Sequence, residues 1–347
     1  MNASFRRPVA AGLALVMLAS ASQVFAWGGT GHRIIGQLGE EALPAELPAF
    51  LHTPEAVEIV AEMAREPDRF KGSGLAHDKD RDPGHFTDVD DNGRVMGGPP
   101  LGALPPTREA FDTELRKVTT DRYKAGEVTQ YKAGYLPYSI VEGWEHLVKD
   151  FAYWRILTAA IPLEKNPDHK AWMQRDLKRR ERTILNDIGY WAHFVGDGSQ
   201  PMHVSEHFNG WGKEFPNPNG YTLQPVHGPF EGAFIRQNVT AASVRAALPA
   251  PAPCRDMIEV CTAHYLEATE ASVIPFYELE KTGGFSGPDP RGIAYANARI
   301  AAGAAELRDL TIKAWAASAH ASAGYPAISV DQALAGGDAY NALYADD

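Results

Sequence analysis

Cysteine is scarce. Only Cys254 and Cys261 occur in 347 residues. A zinc site built on thiolates therefore lacks the donors to complete it. Basic charge is short too. Without Arg6 and Arg7 the chain carries 31 basic against 44 acidic residues, a formal charge near −13. That balance argues against a broad basic surface for gripping duplex nucleic acid. It leaves room for a local positive site, because bound divalent ions reverse the field where they sit. Beyond the N-terminus no long uncharged apolar run occurs. We therefore expect no transmembrane segment after the start of the chain. Period-two alternation is almost missing as well, which speaks against a sheet-based fold.

What is present begins with residues 1–26. Arg6 and Arg7 precede an apolar stretch from Ala10 to Leu18, and Val24 and Ala26 suit a small-residue cleavage site. This order reads as a secretory signal, and the apolar stretch is too short to span a bilayer comfortably. The expected mature chain starts at Trp27 and is exported, to the periplasm or outside the cell. In that setting Cys254 and Cys261, close in sequence, favour a local disulfide over two free thiols.

Apolar spacing predicts helices over His32–Glu41, Glu55–Arg65, Arg108–Val118, Tyr138–Ala160, Trp172–Val195, His227–Arg236, Cys261–Glu280 and Arg291–Ala319. Thr107 is placed to open the third. Residues 68–102 and 209–224 are rich in Gly, Pro, Asp and Asn and read as loops. The expected architecture is all-α, one multi-helix domain over 27–325 with long functional loops. A tail over 326–347 carries little signal.

The histidines and acids are grouped. In WAHFVGDGSQPMHVSEHFN, His193 and Asp197 stand four apart at the end of a predicted helix, so they share a face. His203 follows past a Gly/Pro turn, and His227 and Glu231 repeat the four-residue spacing. One such pair is commonly a helix-surface hydrogen bond. Two pairs joined by a third histidine fit the imidazole and carboxylate donors that zinc takes. A second group is Asp68 with GHFTDVDDNG, where His85 is a candidate ligand and Asp88, Asp90 and Asp91 follow. DVDDNG resembles part of a calcium loop but has no Glu at the required position, so Asp90 and Asp91 read as a solvated acidic turn. The third group is WGGTGH, Trp27 to His32. After cleavage, the free α-amino nitrogen and the carbonyl oxygen of Trp27 could chelate one ion, and His32 would add an imidazole.

These elements, in this order, resemble the S1/P1 nuclease family, which is related to the bacterial zinc-dependent phospholipases C. HFVGDGSQPMH is similar to the family's H-x3-D-x2-Q-P-x-H signature, and WGGTGH to its mature terminus; the likeness covers roughly Trp27 to Ile312. The resemblance implies an all-helical fold of the phospholipase C/P1 nuclease type with three zinc ions. Asp68, His85, His193 and Asp197 would hold the first. Trp27 and His32 would hold the second, with Asp197 bridging. His203, His227 and Glu231 would hold the third. Asp78, Asp80 and Asp82 are rivals to Asp68, because the interval from Asp68 to His85 is slightly long. The implied activity is cleavage of single-stranded DNA or RNA, with nucleotides as further substrates and no stable protein partner. Asp68 and Lys71 would take catalytic roles, Lys71 standing where the family often has Arg, a substitution that is not neutral at a phosphate. Phe86 and Asp88 would receive a nucleobase, and Asn209 a phosphate. Glu231 departs from the nuclease pattern toward the phospholipases, so lipid-headgroup hydrolysis is the alternative. A non-catalytic zinc-binding protein is the alternative from another class.

Overall fold

The computed structural model describes residues 27–71 and 74–344. The signal sequence read from residues 1–26 lies outside them. The larger helices and one short one are, in chain order, α1 (Gly28–Glu41), α2 (Pro54–Met63), α3 (Glu66–Phe70), α4 (Arg108–Val118), α5 (Leu136–Ala160), α6 (Pro167–Asp197), α7 (Ile258–Glu270), α8 (Val273–Lys281) and α9 (Pro290–Ala317). The chain is mostly helical, as its spacing implies. Strand is confined, among the described residues, to the short antiparallel pair β1 (Ser322–Ala323) and β2 (Ile328–Ser329) with a few isolated bridges. No helix among them is long and apolar enough to cross a membrane.

Local chemistry sets the helix ends. Thr107 caps α4 by accepting the Ala110 N–H, as its position suggested. Helix α6 starts at Pro167, before the expected Trp172, because Asn166 accepts the N–H groups of Asp168 and His169 and Pro167 fills the first helical position. The expected single helix over Cys261–Glu280 is two helices. Pro275 has no N–H to give Ala271 and its ring crowds that carbonyl, so the chain breaks at Ala271–Ser272. The expected loop over 68–102 also carries short helical turns at Asp78–Arg81 and Asp82–His85.

The main core joins α1, α2, α5, α6 and α9 through Ile35, Leu38, Val60, Phe151, Ile188, Val195, Ile300 and Leu307. Helices α5 and α6 pack closely at Gly143, where a Cβ would stand 2.0 Å from Trp191 Cδ1. A smaller core places Ile328, Val330, Ala333 and Ala342 against Ala152, Ile156 and Met173. The chain after β1 thus folds back onto α5 and α6. Cys254 and Cys261 form a disulfide with their Cα atoms 5.9 Å apart.

Candidate metal centre

The last turn of α6 carries His193 and Asp197, four residues apart on one face and both fully buried. The first turns of α1 bring His32 over them. Its ring stacks on that of His193 at 3.8 Å, and its Nε2 lies 3.5 Å from Asp197 Oδ1. The short turn at Asp82–His85 aims His85 Nδ1 at Asp197 Oδ2, 3.1 Å away. Helix α3 adds Asp68, whose Oδ1 is 3.7 Å from His193 Nε2 and 4.0 Å from His85 Nδ1. Of its rivals, Asp78 pairs with Arg81 and Asp80 with His77, while Asp82 joins no group of closely spaced ligand atoms among the described residues.

A second centre forms alongside. The turn at Pro201–His203 places His203, and a wide π-helical turn over Pro229–Phe234 follows His227 and carries Glu231. Such turns recur at functional sites. Nε2 of His227 lies 2.8 Å from Glu231 Oε2, and Nε2 of His203 lies 3.9 Å from the same oxygen. His203 also reaches the first centre, with Nδ1 3.8 Å from Asp197 Oδ1.

Buried groups of possible ligand atoms result: His32, His193 and Asp197; Asp68, His85 and His193; and His203, His227 and Glu231. His193 belongs to two of them. The ring nitrogens are pre-set for coordination. His193 Nδ1 donates to the Ala64 carbonyl at 2.9 Å, and His203 Nδ1 to the His85 carbonyl at 2.5 Å. Each ring then offers its Nε2 lone pair inward.

Burial governs the charges. It pushes the Asp197 carboxyl well up, helped by Asp68, and lifts Asp68 to about 7 against the opposing charge of Lys71. It pulls His85, His193 and His203 well below the ordinary imidazole range. Neutral imidazoles facing carboxylates that resist ionisation are groups wanting a cation. Oδ1 of Asp68, Oδ1 of Asp197, Nε2 of His203 and Oε1 of Glu231 are buried and make no hydrogen bond among the described residues. These donors fit metal ions, and imidazole with carboxylate is the set to hold them.

The remaining expected residues sit around this centre. Trp27 is fully buried, and its side chain is held by hydrogen bonds at the end of α6. Lys71 Nζ is 4.0 Å from Asp68 Oδ1. Phe86 and Asp88 are partly buried, and burial with the charge of Glu206 pushes the Asp88 carboxyl well up. Asn209 accepts the His227 N–H at 3.3 Å, so it steadies the start of the His227 turn. Asp90 caps a turn by accepting the Asn92 and Arg94 N–H groups, whereas Asp91, read as solvated, also faces His207 Nε2 at 3.0 Å. Spacing alone gave no role to Gln200, which is fully buried and donates to Glu231 Oε2 at 3.1 Å. Its place between two ligand pairs was the available signal.

Against protein-family models, curated proteins and solved structures, the chain finds no match.

Proposed function

We propose that this chain is a zinc-dependent phosphodiesterase that cuts single-stranded DNA or RNA, with nucleotides as further substrates. The observation that carries the reading is the convergence of imidazoles and carboxylates in adjoining buried groups that share His193. Adjacent divalent ions suit in-line displacement at phosphorus. Both cysteines are spent in the disulfide, and the remaining nitrogen and oxygen donors favour zinc. Three ions would be held as the resemblance implies, with the Trp27 terminus and His32 completing one site.

Zinc, when bound, supplies Lewis acidity, which acidifies water and offsets negative charge developing at phosphorus. The chain's own groups do the rest. Asp68 Oδ1 accepts a hydrogen bond from the attacking water and orients it. Lys71 Nζ donates to a non-bridging phosphate oxygen. Phe86 offers a face to an unpaired base, which a single strand leaves free to stack. Asp88, whose carboxyl holds its proton, forms a hydrogen bond with that base's edge.

A second reading is lipid-headgroup hydrolysis. Phe70 and Phe208, sequence neighbours of Lys71 and Asn209, are 53% and 45% exposed. Exposed apolar rings on these segments suit a lipid surface as well as bases. The deciding experiment gives the zinc-loaded protein single-stranded DNA and phosphatidylcholine in parallel. DNA cleavage that stops on chelation and returns with zinc supports the nuclease. Phosphocholine release over inert DNA replaces it with the phospholipase. Zinc binding without either activity, unaffected by phosphate or vanadate, leaves a zinc-binding protein.

A further inference from the structure

The Trp27 side chain does more than fill space. It is fully buried, and its indole N–H is shared between the Gly196 carbonyl at 2.8 Å and Ser199 Oγ at 2.9 Å. Ser199 in turn donates its hydroxyl to the same Gly196 carbonyl at 2.8 Å, which leaves its lone pairs for the indole. Three groups, Trp27, Ser199 and Gly196, thus close a ring of hydrogen bonds one residue from Asp197. The turn that accepts the indole is itself fixed. Arg299 on α9 donates to the Ser199 carbonyl at 3.0 Å, Thr269 on α7 to the Gly198 carbonyl at 2.7 Å, and Tyr265 to the Val195 carbonyl at 2.7 Å.

The other side of the indole meets the second centre. Phe230, which precedes Glu231, lies 5.7 Å away ring to ring. A Cβ on Gly31 would meet Trp27 Cβ at 2.7 Å, so α1 turns directly against this side chain. Packing alone would be served by phenylalanine; the indole N–H adds direction.

We propose that Trp27 and Ser199 act together as a positioning clamp, which sets the first turn of α1, and with it His32, against Asp197 at the end of α6. The inference rests on the metal-centre reading above. It assigns neither side chain to the metal; both act through the ligands they hold in place. Outer-shell partners of this kind are worth about 10- to 100-fold in metal affinity.

The test is a double-mutant cycle on the exported chain with Trp27→Phe, Ser199→Ala and both together. It reads zinc per chain against a competing chelator, and unfolding of the metal-free proteins by circular dichroism. Wild type is assayed in parallel for zinc content and DNA cleavage. We expect each single variant to weaken zinc retention about 10- to 100-fold. The double variant should be no worse than the weaker single, because both changes break one network. Wild-type retention in either single variant, or fully additive losses, overturns the clamp. If Trp27→Phe fails to fold, Ser199→Ala alone decides, since it removes only the hydroxyl. Wild-type protein that holds no zinc removes the metal reading and the clamp with it. Zinc-bound wild type that leaves DNA intact strikes only the nuclease reading.

Discussion

Nε2 of His193 and Nδ1 of His85 lie 2.9 Å apart. Since His193 gives its other nitrogen's proton to Ala64, the two rings can meet only through a proton on His85 or through a shared cation. This relationship makes His193 the hinge between two ligand groups, whereas His227 serves one. We expect His193→Ala to lose more metal per chain than His227→Ala, as read by elemental analysis after dialysis. Equal losses would remove His193 from its shared position. Chelation of the wild type should lower its stability by about 4 kcal/mol where zinc stands a thousandfold above its dissociation constant. For a chain of this length that corresponds to a fall in Tm of roughly 6 °C.

Helix α1 carries a different buried acid. Glu40 is 2% exposed, and burial alone lifts its carboxyl from 4.5 to about 8. Its neighbour Glu41 points outward to Arg245. A carboxyl raised in this way binds more protons folded than unfolded. Stability therefore falls as pH climbs from about 4.5 to about 8, and is indifferent to this group outside that window. Glu306, also lifted to about 8 by burial, adds a parallel slope. Glu40→Gln should remove one share, on the order of a few kcal/mol across the window. Urea unfolding at pH 5 and pH 8 measures it. An unchanged difference between the two pH values would show that Glu40 already ionises freely.

The sequence made some of this legible and hid the rest, for identifiable reasons. Four-residue spacing announced His193 with Asp197 and His227 with Glu231, because helical periodicity is local. The pairing of His32 with Asp197 was available only through the family resemblance, since the contact spans α1 and α6. Helix ends were legible at Thr107 and overlooked at Asn166, although the same capping chemistry operates at both. The break at Ala271 followed from a single proline that apolar spacing outvoted. The ring of Trp27, Ser199 and Gly196 joins residues some 170 positions apart. No local pattern encodes such a contact.

Gly143 tests how far the scaffold reaches the centre. Its missing side chain lets the Trp191 ring lie against α5 and donate to the Ile140 carbonyl at 2.9 Å. Trp191 stands two residues before His193. Gly143→Ala would force the ring aside, an overpacking that costs about 1–3 kcal/mol. We expect a lower Tm together with weaker zinc retention. A lower Tm with unchanged retention would show that α6 moves without its last turn.

Lys71 separates chemistry from metal holding. Its ammonium approaches Asp68 Oδ1 only at 4.0 Å, longer than a hydrogen bond, and its charge opposes the rise that burial imposes on the Asp68 carboxyl. In the proposed reaction it contributes where negative charge builds on the phosphate, and a single such donor is worth about 10²- to 10³-fold in kcat. Lys71→Met keeps the length of the side chain and removes the charge. It should lower kcat for single-stranded DNA by about that factor while zinc per chain stays at the wild-type level. Lys71→Arg should recover part of the loss, because guanidinium binds phosphate with different geometry but the same charge. If Lys71→Met sheds zinc, the ammonium serves the ligand Asp68 rather than the substrate. If kcat and zinc content both hold, Lys71 takes no part in the chemistry, and the phosphate must be gripped by the ions alone.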